Sequence, residues 1–472
     1  MPALKDASGV SYTSNEEKYR HLIETFWKTT SKTKNMTTVP FPKINSEREV
    51  FEMDMSLGET DVKRFINELR RKKAPGLDTV PGEALKLARD TLVPYLTILF
   101  GACIKLSYFP ACFKTALVCI IPKPEKESYA SAKSWRPIAL LASVGKLFEK
   151  FLANRPKLVV LAHLLLPASQ YGAPGKSTTE CIKILMNIIH RNWSRKKKRL
   201  VLAQLQKLTK LGLDMASAFD RINRALILKV LADKGLPEYF IRMMQSFLSN
   251  RYIILKLPDS TSDLNGVNVG IPQGSLLSPL LFIFFMAPLL ELLEAQKVDG
   301  VVIYVFSYVD DTYVVVSSQS YRKNCDALEQ VHRTIAQWAK ETETETEFSP
   351  QKYSIMHFKD PRDKSPDCQS LPDIPGVAGN LACFKEQKVK MLGVTLDPKL
   401  GFKAHVDDIQ KRVNKKLRHL KFIARRKVGL TVQGAREFYM GSILPIFAYA
   451  CEAWYLYSPK ETLPQSLKEQ VN

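Results

Sequence analysis

A chain of 472 residues exceeds one small module and fits two or three domain-sized units. With 45% hydrophobic, 10% aromatic and 25% charged residues it has a globular composition, which excludes a collagen, a coiled-coil filament and wholesale disorder. Its 69 Lys and Arg against 47 Asp and Glu give a formal charge of +22, so a polyanion is the expected partner.

Eight cysteines, no two at Cys-x-x-Cys spacing, argue against a disulfide framework and a zinc ribbon and for a reducing compartment. Residues 1–30 carry Asp6, Glu16 and Glu17 and no apolar run, so neither a secretory signal nor a mitochondrial presequence is expected. The longest uncharged stretch, Val267 to Leu290, is punctuated by Gly270, Pro272, Gln273, Gly274, Pro279 and Pro288. It reads as buried core, and no membrane association is expected.

In chain order, residues 1–57 read as a polar extension ending in a short helix. Thr60 or Asp61 caps a helix through Val62, Phe65, Ile66 and Leu69, which Ala74-Pro75-Gly76-Leu77-Asp78 terminates. Helical periodicity runs from Gly82 to Leu106, a β-branched strand covers 116–121, and helices cover 143–155 and 177–193. A basic run, Arg195 to Arg199, follows. Leu205 to Asp214 ends as a strand, 223–248 is helical, 253–257 extended, and 278–294 an apolar helix. Strands 301–307 and 313–318 flank Tyr308-Val309-Asp310-Asp311-Thr312, so an acidic pair sits at a hairpin tip. A helix over 324–340, a solvated acidic loop over 341–347, a Pro/Asp/Ser-rich connection over 361–379, a strand over 389–396 and a helical tail complete an α+β arrangement.

A carboxylate pair at the end of a hydrophobic hairpin is electrostatically expensive unless a cation neutralises it. An isolated Asp-Asp is most often an ordinary turn, so a third ligand is needed. Asp214 is the candidate, ending an apolar strand beside the small residues Ala216, Ser217 and Ala218. Three carboxylates on neighbouring strands suit two Mg²⁺ ions about 3.5–4 Å apart, the arrangement for nucleotidyl transfer.

The chain resembles the reverse transcriptases of non-long-terminal-repeat (LINE-like) retrotransposons over about residues 60 to 455. The resemblance rests on an ordered set: Ala74-Pro75-Gly76-Leu77-Asp78; Ile121-Pro122-Lys123 with Trp135-Arg136-Pro137-Ile138; Gln170-Tyr171-Gly172 with Gly175-Lys176-Ser177-Thr178; and Leu213-Asp214 to Phe219-Asp220. It continues with Gly270-Ile271-Pro272-Gln273-Gly274-Ser275 and Ser278-Pro279; Tyr308-Val309-Asp310-Asp311; Ser349-Pro350-Gln351-Lys352; and Leu392-Gly393-Val394.

What the resemblance implies is a right-hand polymerase with an antiparallel palm sheet and a helical thumb. Residues 58–200 would be fingers and the start of the palm, 201–360 the palm, 361–400 the connection and last palm strands, and 401–472 the thumb. Asp214, Asp310 and Asp311 would hold two Mg²⁺, with Mn²⁺ as an alternative. Lys123 and Arg136 would reach the incoming triphosphate. Gln273 and Gly274 would support template and nucleotide, and Phe219 would form a wall beneath the sugar, with a packing aromatic as its competing reading. Lys352 would protonate pyrophosphate or be an ordinary loop lysine, and Asp220 is read as a supporting or structural acid, with a metal ligand as its alternative. In the tail, Val406, Ile409, Val413, Leu417, Leu420 and Ile423 recur at helical spacing, leaving Lys411, Arg412, Lys415, Lys416 and Arg418 to track template–primer phosphates.

The function implied is RNA-directed DNA synthesis from a 3′-hydroxyl, with an RNA template, a DNA primer and dNTPs as partners. The alternatives are an RNA-directed RNA polymerase and an inactive nucleic-acid-binding remnant of such an element. Ala173-Pro174, where the family more often has an aromatic and an arginine, the added-looking stretch 200–210 and the Glu-Thr repeat at 341–347 point to decay, while the intact Asp214, Asp310 and Asp311 speak against the remnant. A nuclear and cytoplasmic location is expected, with a mitochondrial intron-encoded relative as the alternative.

Overall fold

The computed structural model describes residues 1–6, 8–27, 38–124, 126–194, 207–213, 215–216, 218–342, 347–348, 353–360, 370–375, 388–424 and 429–455. The fold is α+β, as the sequence pattern requires, and forms two compact units through which the chain passes more than once. The first comprises residues 1–167, 215–289 and 337–347; the second comprises 168–214, 290–336 and 348–472.

The first unit is built on a mixed sheet. Strand Thr115–Pro122 pairs antiparallel with Trp135–Leu140 and parallel with Arg251–Leu257, which also pairs with Ser260–Thr261 and Asn265–Val267. Alternation along Arg251–Leu257 turns Ile253, Leu255 and Leu257 inward, against Ala116, Val118, Trp135 and Ala139. The same cluster takes in Leu4 and, from helix Asn15–Trp27, Tyr19, Leu22, Ile23, Phe26 and Trp27. Residues read as a polar extension therefore supply core to this unit. The signal was a helical stripe short enough to be outweighed by its polar flanks.

The second unit holds a four-stranded, wholly antiparallel sheet in the order Val302–Tyr308, Asp311–Ser318, Lys207–Leu213, Ser354–Phe358. Lys207–Leu213 is buried along its whole length because it is an inner strand covered on both faces. One face packs Leu208, Tyr313, Val315 and Met356 against Cys181, Ile182, Leu185, Met186 and Ile189 of helix Thr178–Ser194. Val406, Ile409 and Val413 of helix Lys403–Ile423 join the same cluster.

Several elements differ from their sequence reading. The cap of helix Glu59–Asn67 is Gly58, because Asp61 stands three residues in, where its carboxylate accepts from the Gly58 N–H. The periodic run 82–106 is two helices, Gly82–Leu87 and Arg89–Lys105. The run 223–248 likewise divides into Arg224–Asp233 and Glu238–Leu248 around Gly235-Leu236-Pro237. Helix Ser143–His163 continues well past the expected Arg155. The strand read over 389–396 is a hairpin, Val389–Met391 with Val394–Leu396, whose loop residues Leu392 and Gly393 both have positive φ as a two-residue type I′ turn requires. Helix Ser278–Ala295 is long and apolar enough to cross a membrane, and its Leu281, Phe282, Phe284, Phe285, Met286 and Ala287 are fully buried within the protein.

Candidate active site

The acidic hairpin forms as expected but is tighter. Tyr308 pairs with Asp311, leaving only Val309 and Asp310 as the loop and making Asp311 the first residue of its strand. Both carboxylates are exposed. Val309, the first loop residue, has φ +60, a conformation a β-branched side chain adopts only when its surroundings impose it. Residues 169–172 run beside the hairpin: Ser307 N–H donates to Ser169 O (2.8 Å), and Tyr171 N–H to Ser307 O (2.6 Å). The neighbouring strand ends with Leu213 opposite Thr312, and the expected third carboxylate, Asp214, lies outside the described residues, as does Lys352.

Lys210 lies on that inner strand, fully buried, with its ammonium 4.6 Å from the Tyr313 ring centroid and no hydrogen-bond partner among the described residues. Burial pushes it down to about 7, against the opposing pull of Asp311. Tyr313 is pushed upward by burial and then by Asp311. Gly212 follows Lys210 on the same face, and a methyl group there would sit 3.4 Å from the ammonium.

In the first unit, a loop over 267–276 gathers the expected nucleotide-binding residues. Ile271 N–H donates to Phe219 O (2.7 Å), Gly270 N–H to Ile222 O (2.9 Å), and Ala139 N–H to Gln273 O (2.7 Å). Gly274 has φ +126, and a Cβ on it would lie 2.4 Å from Ala139 O, so only glycine lets the loop approach the 135–140 strand this closely. Arg136 is exposed on that strand, opposite Ile121. Lys123 continues from the end of the adjacent strand, its backbone N–H donating to Ser134 O (2.9 Å) and its Nζ to Lys133 O (2.9 Å). Phe219 is half-buried and stacks on Phe282 at 4.9 Å between centroids, so its ring has one supported face.

Three buried ionisable side chains hold this loop. Arg224 donates to the carbonyls of Gly270 (2.7 Å), Val267 (2.8 Å), Val269 (2.9 Å) and Leu248 (2.9 Å). Glu149 accepts from Ser275 Oγ (2.8 Å) and Leu276 N–H (2.9 Å), and burial pushes its carboxyl up. Asp220 accepts from Gln273 Nε2 at 3.1 and 3.3 Å. Burial pushes Asp220 up to about 8, with Lys123 the largest opposing influence. Asp220 is buried and fixes Gln273. Arg224 and Glu149 were missed. Their signal was a full charge on the buried side of an otherwise apolar helix.

Among the described residues, no group of three His, Cys, Asp or Glu side chains stands together as a metal site. On helix Lys403–Ile423, Val406, Ile409 and Val413 are buried and Lys411, Arg412, Lys415, Lys416 and Arg418 exposed, as expected of a basic amphipathic helix, but the expected apolar stripe fades along it: Leu417 and Leu420 are half-buried and Ile423 is exposed. The basic run 195–199 and the acidic repeat at 343–346 lie outside the described residues.

A sequence model of the family described as reverse transcriptase (RNA-dependent DNA polymerase) matches residues 121–396. The chain is 29% identical over 396 residues to the probable RNA-directed DNA polymerase from transposon BS of Drosophila melanogaster, an alignment covering 84% of this chain and 42% of that protein. It is 26% identical over 410 residues to the RNA-directed DNA polymerase from mobile element jockey of the same species, covering 86% and 42%. The chain therefore spans less than half the length of these curated relatives. A solved structure of apo telomerase from Candida tropicalis aligns over 78% of this chain and 63% of that one, at 13% identity and a TM-score of 0.41.

Proposed function

The chain belongs to the reverse transcriptase (RNA-dependent DNA polymerase) family, and from that premise we propose that it is itself an RNA-directed DNA polymerase of a LINE-like mobile element, extending a 3′-hydroxyl primer on an RNA template with dNTPs. The observation that carries the proposal is the exposed Asp310-Asp311 pair at the tip of the antiparallel hairpin. Exposed, adjacent carboxylates at the end of a rigid element are hard oxygen donors of the kind Mg²⁺ or Mn²⁺ takes, and Asp214 follows the strand paired beside them. Two such ions, when bound, supply activation of the primer hydroxyl and neutralisation of the departing pyrophosphate.

The other roles follow from side-chain chemistry. Arg136 offers a planar fork and Lys123 a compact charge to the triphosphate. Gln273 is held by Asp220, and Phe219 is backed by Phe282, so each presents a fixed edge to a nucleotide. Lys352 holds a proton for pyrophosphate. Lys411, Arg412, Lys415, Lys416 and Arg418 contact phosphates without reading sequence. In this reading residues 58–200 serve as fingers and early palm, 201–360 as palm, 361–400 as connection and 401–472 as thumb.

The test is primer extension by the purified chain on an RNA template, with dNTPs and then with rNTPs. Incorporation of dNTPs is expected. Incorporation of rNTPs alone would replace the proposal with an RNA polymerase, and tight template–primer binding with no extension would replace it with an inactive binding protein.

A further inference from the structure

The segment Gln170-Tyr171-Gly172 has no role in the polymerase reading, yet it lies against the hairpin that carries the carboxylates. Gln170 is fully buried, and all three of its side-chain hydrogen bonds serve this one place. Its Oε1 accepts from the backbone N–H of Val309 (3.1 Å) and of Gly172 (2.8 Å), and its Nε2 donates to Ser307 Oγ (3.2 Å). Ser307 Oγ in turn stands 3.2 Å from Thr312 Oγ1, so the amide is linked to both strands that flank the loop. Gly172 makes the approach possible: a Cβ there would fall 2.9 Å from Gln170 Oε1 and 2.9 Å from both the N and Cγ2 of Val309.

The residue so gripped is the strained one. Val309 sits at φ +60, where hairpin loops place glycine, and it immediately precedes Asp310. A valine left to itself would relax toward negative φ and swing the following carboxylates. We propose that Gln170 is a positioning residue of the active site: its side-chain amide holds Val309 in the left-handed conformation and thereby sets the direction in which Asp310 and Asp311 point. The proposal rests on the polymerase reading for its consequence in catalysis and on the hydrogen bonds alone for its consequence in structure.

The experiment uses the full chain with Gln170→Ala, Val309→Gly and the double variant. Gln170→Ala is expected to lower kcat about 10- to 100-fold while the KM for dNTP and the Kd for template–primer stay within about threefold of wild type. Glycine adopts positive φ without strain, so the double variant should regain at least about tenfold in kcat over Gln170→Ala. A core-packing role for Gln170 predicts no such rescue, because glycine at 309 repairs no packing. A wild-type kcat in Gln170→Ala, or a double variant no better than the single, would overturn the proposal. Hydrogen exchange of the backbone amides over 303–313 supplies a readout independent of catalysis: Gln170→Ala should speed exchange there about tenfold and leave the 251–257 strand unchanged. If wild type extends no primer, the polymerase reading fails and this exchange measurement alone decides; unaltered protection over 303–313 overturns the positioning role.

Discussion

The loop over 267–276 and the hairpin tip at 308–311 are both polar structures mounted on apolar elements, and they are held in opposite ways. Ionisable side chains secure the loop: Arg224, a full charge, binds four carbonyls, Glu149 ties Ser275 and Leu276, and Asp220 grips Gln273. A neutral amide secures the tip, Gln170 binding the Val309 backbone and Ser307. The difference teaches where a buried charge is tolerated. A charged clamp makes stronger hydrogen bonds, but beside two carboxylates it would attract or repel them through a low dielectric. An amide fixes backbone and leaves the local field to the carboxylates and whatever cation they take. The exception is Lys210, whose ammonium makes no hydrogen bond among the described residues and whose charge is favoured by Asp311.

The sharpest cut is at the tip itself. Asp310→Asn should reduce primer extension by about a thousandfold, roughly 4 kcal/mol, while template–primer affinity is unchanged, because it removes a cation donor and no basic contact. Extension near the wild-type rate would remove the chemistry from the tip and the comparison with it.

In the charged region the largest loss belongs to Arg224→Met, which strands four carbonyls now satisfied by one guanidinium and should cost about 3 kcal/mol or more of stability by urea unfolding. A loss below about 1 kcal/mol would mean the loop does not depend on its charges.

Lys210→Met should do the reverse and stabilise the protein by about 1–3 kcal/mol, since it removes a buried ammonium without stranding a partner. Burial holds Lys210 down at about 7 in the folded chain, so the penalty is full below that pH and fades as pH rises toward the ordinary lysine range. The gain from methionine, followed by thermal unfolding, should therefore shrink between pH 7 and pH 10; a pH-independent gain would make it a packing effect.

The finest distinction concerns Asp220. Its folded carboxyl is raised to about 8 from an unfolded value of 3.8, so across that window the folded state holds a proton the unfolded state has lost. Stability must then fall as pH rises from 4 to 8, by up to about 1.4 kcal/mol per pH unit. Asp220→Asn should flatten this slope; urea midpoints at pH 5 and pH 7.5 that shift as in wild type would assign the slope elsewhere.

Most of the hairpin was legible because it is local: alternating apolar residues on either side of a short polar break name both strands and the tip. The apolar helix 278–295 was legible for the same reason. What holds these pieces was not. Gln170 meets Val309 across 139 positions of chain, and Glu149 meets Ser275 across 126, separations at which no periodicity speaks. Arg224 and Lys210 broke apolar patterns and so left a trace, but a misplaced charge says only that a partner is needed and never which one. The helix divided at 235–237 and the hairpin at 392–393 were lost differently: in each, a short piece of turn chemistry, Gly235-Leu236-Pro237 or Leu392-Gly393, interrupts a run whose hydrophobicity continues through it.

The helix Asn15–Trp27, buried against the strands 115–122 and 251–257, bears on how a fragment of this protein would behave. The stretch matched by the family model starts at residue 121, inside the strand Thr115–Pro122. A fragment trimmed there would leave Ile253 and Leu255 without Ala116, Val118, Leu22 and Phe26 to cover them and would free the edge of Arg251–Leu257 that now pairs in parallel. Such an edge recruits strands from other molecules. Solubility, more than activity, is what the first hundred residues should confer.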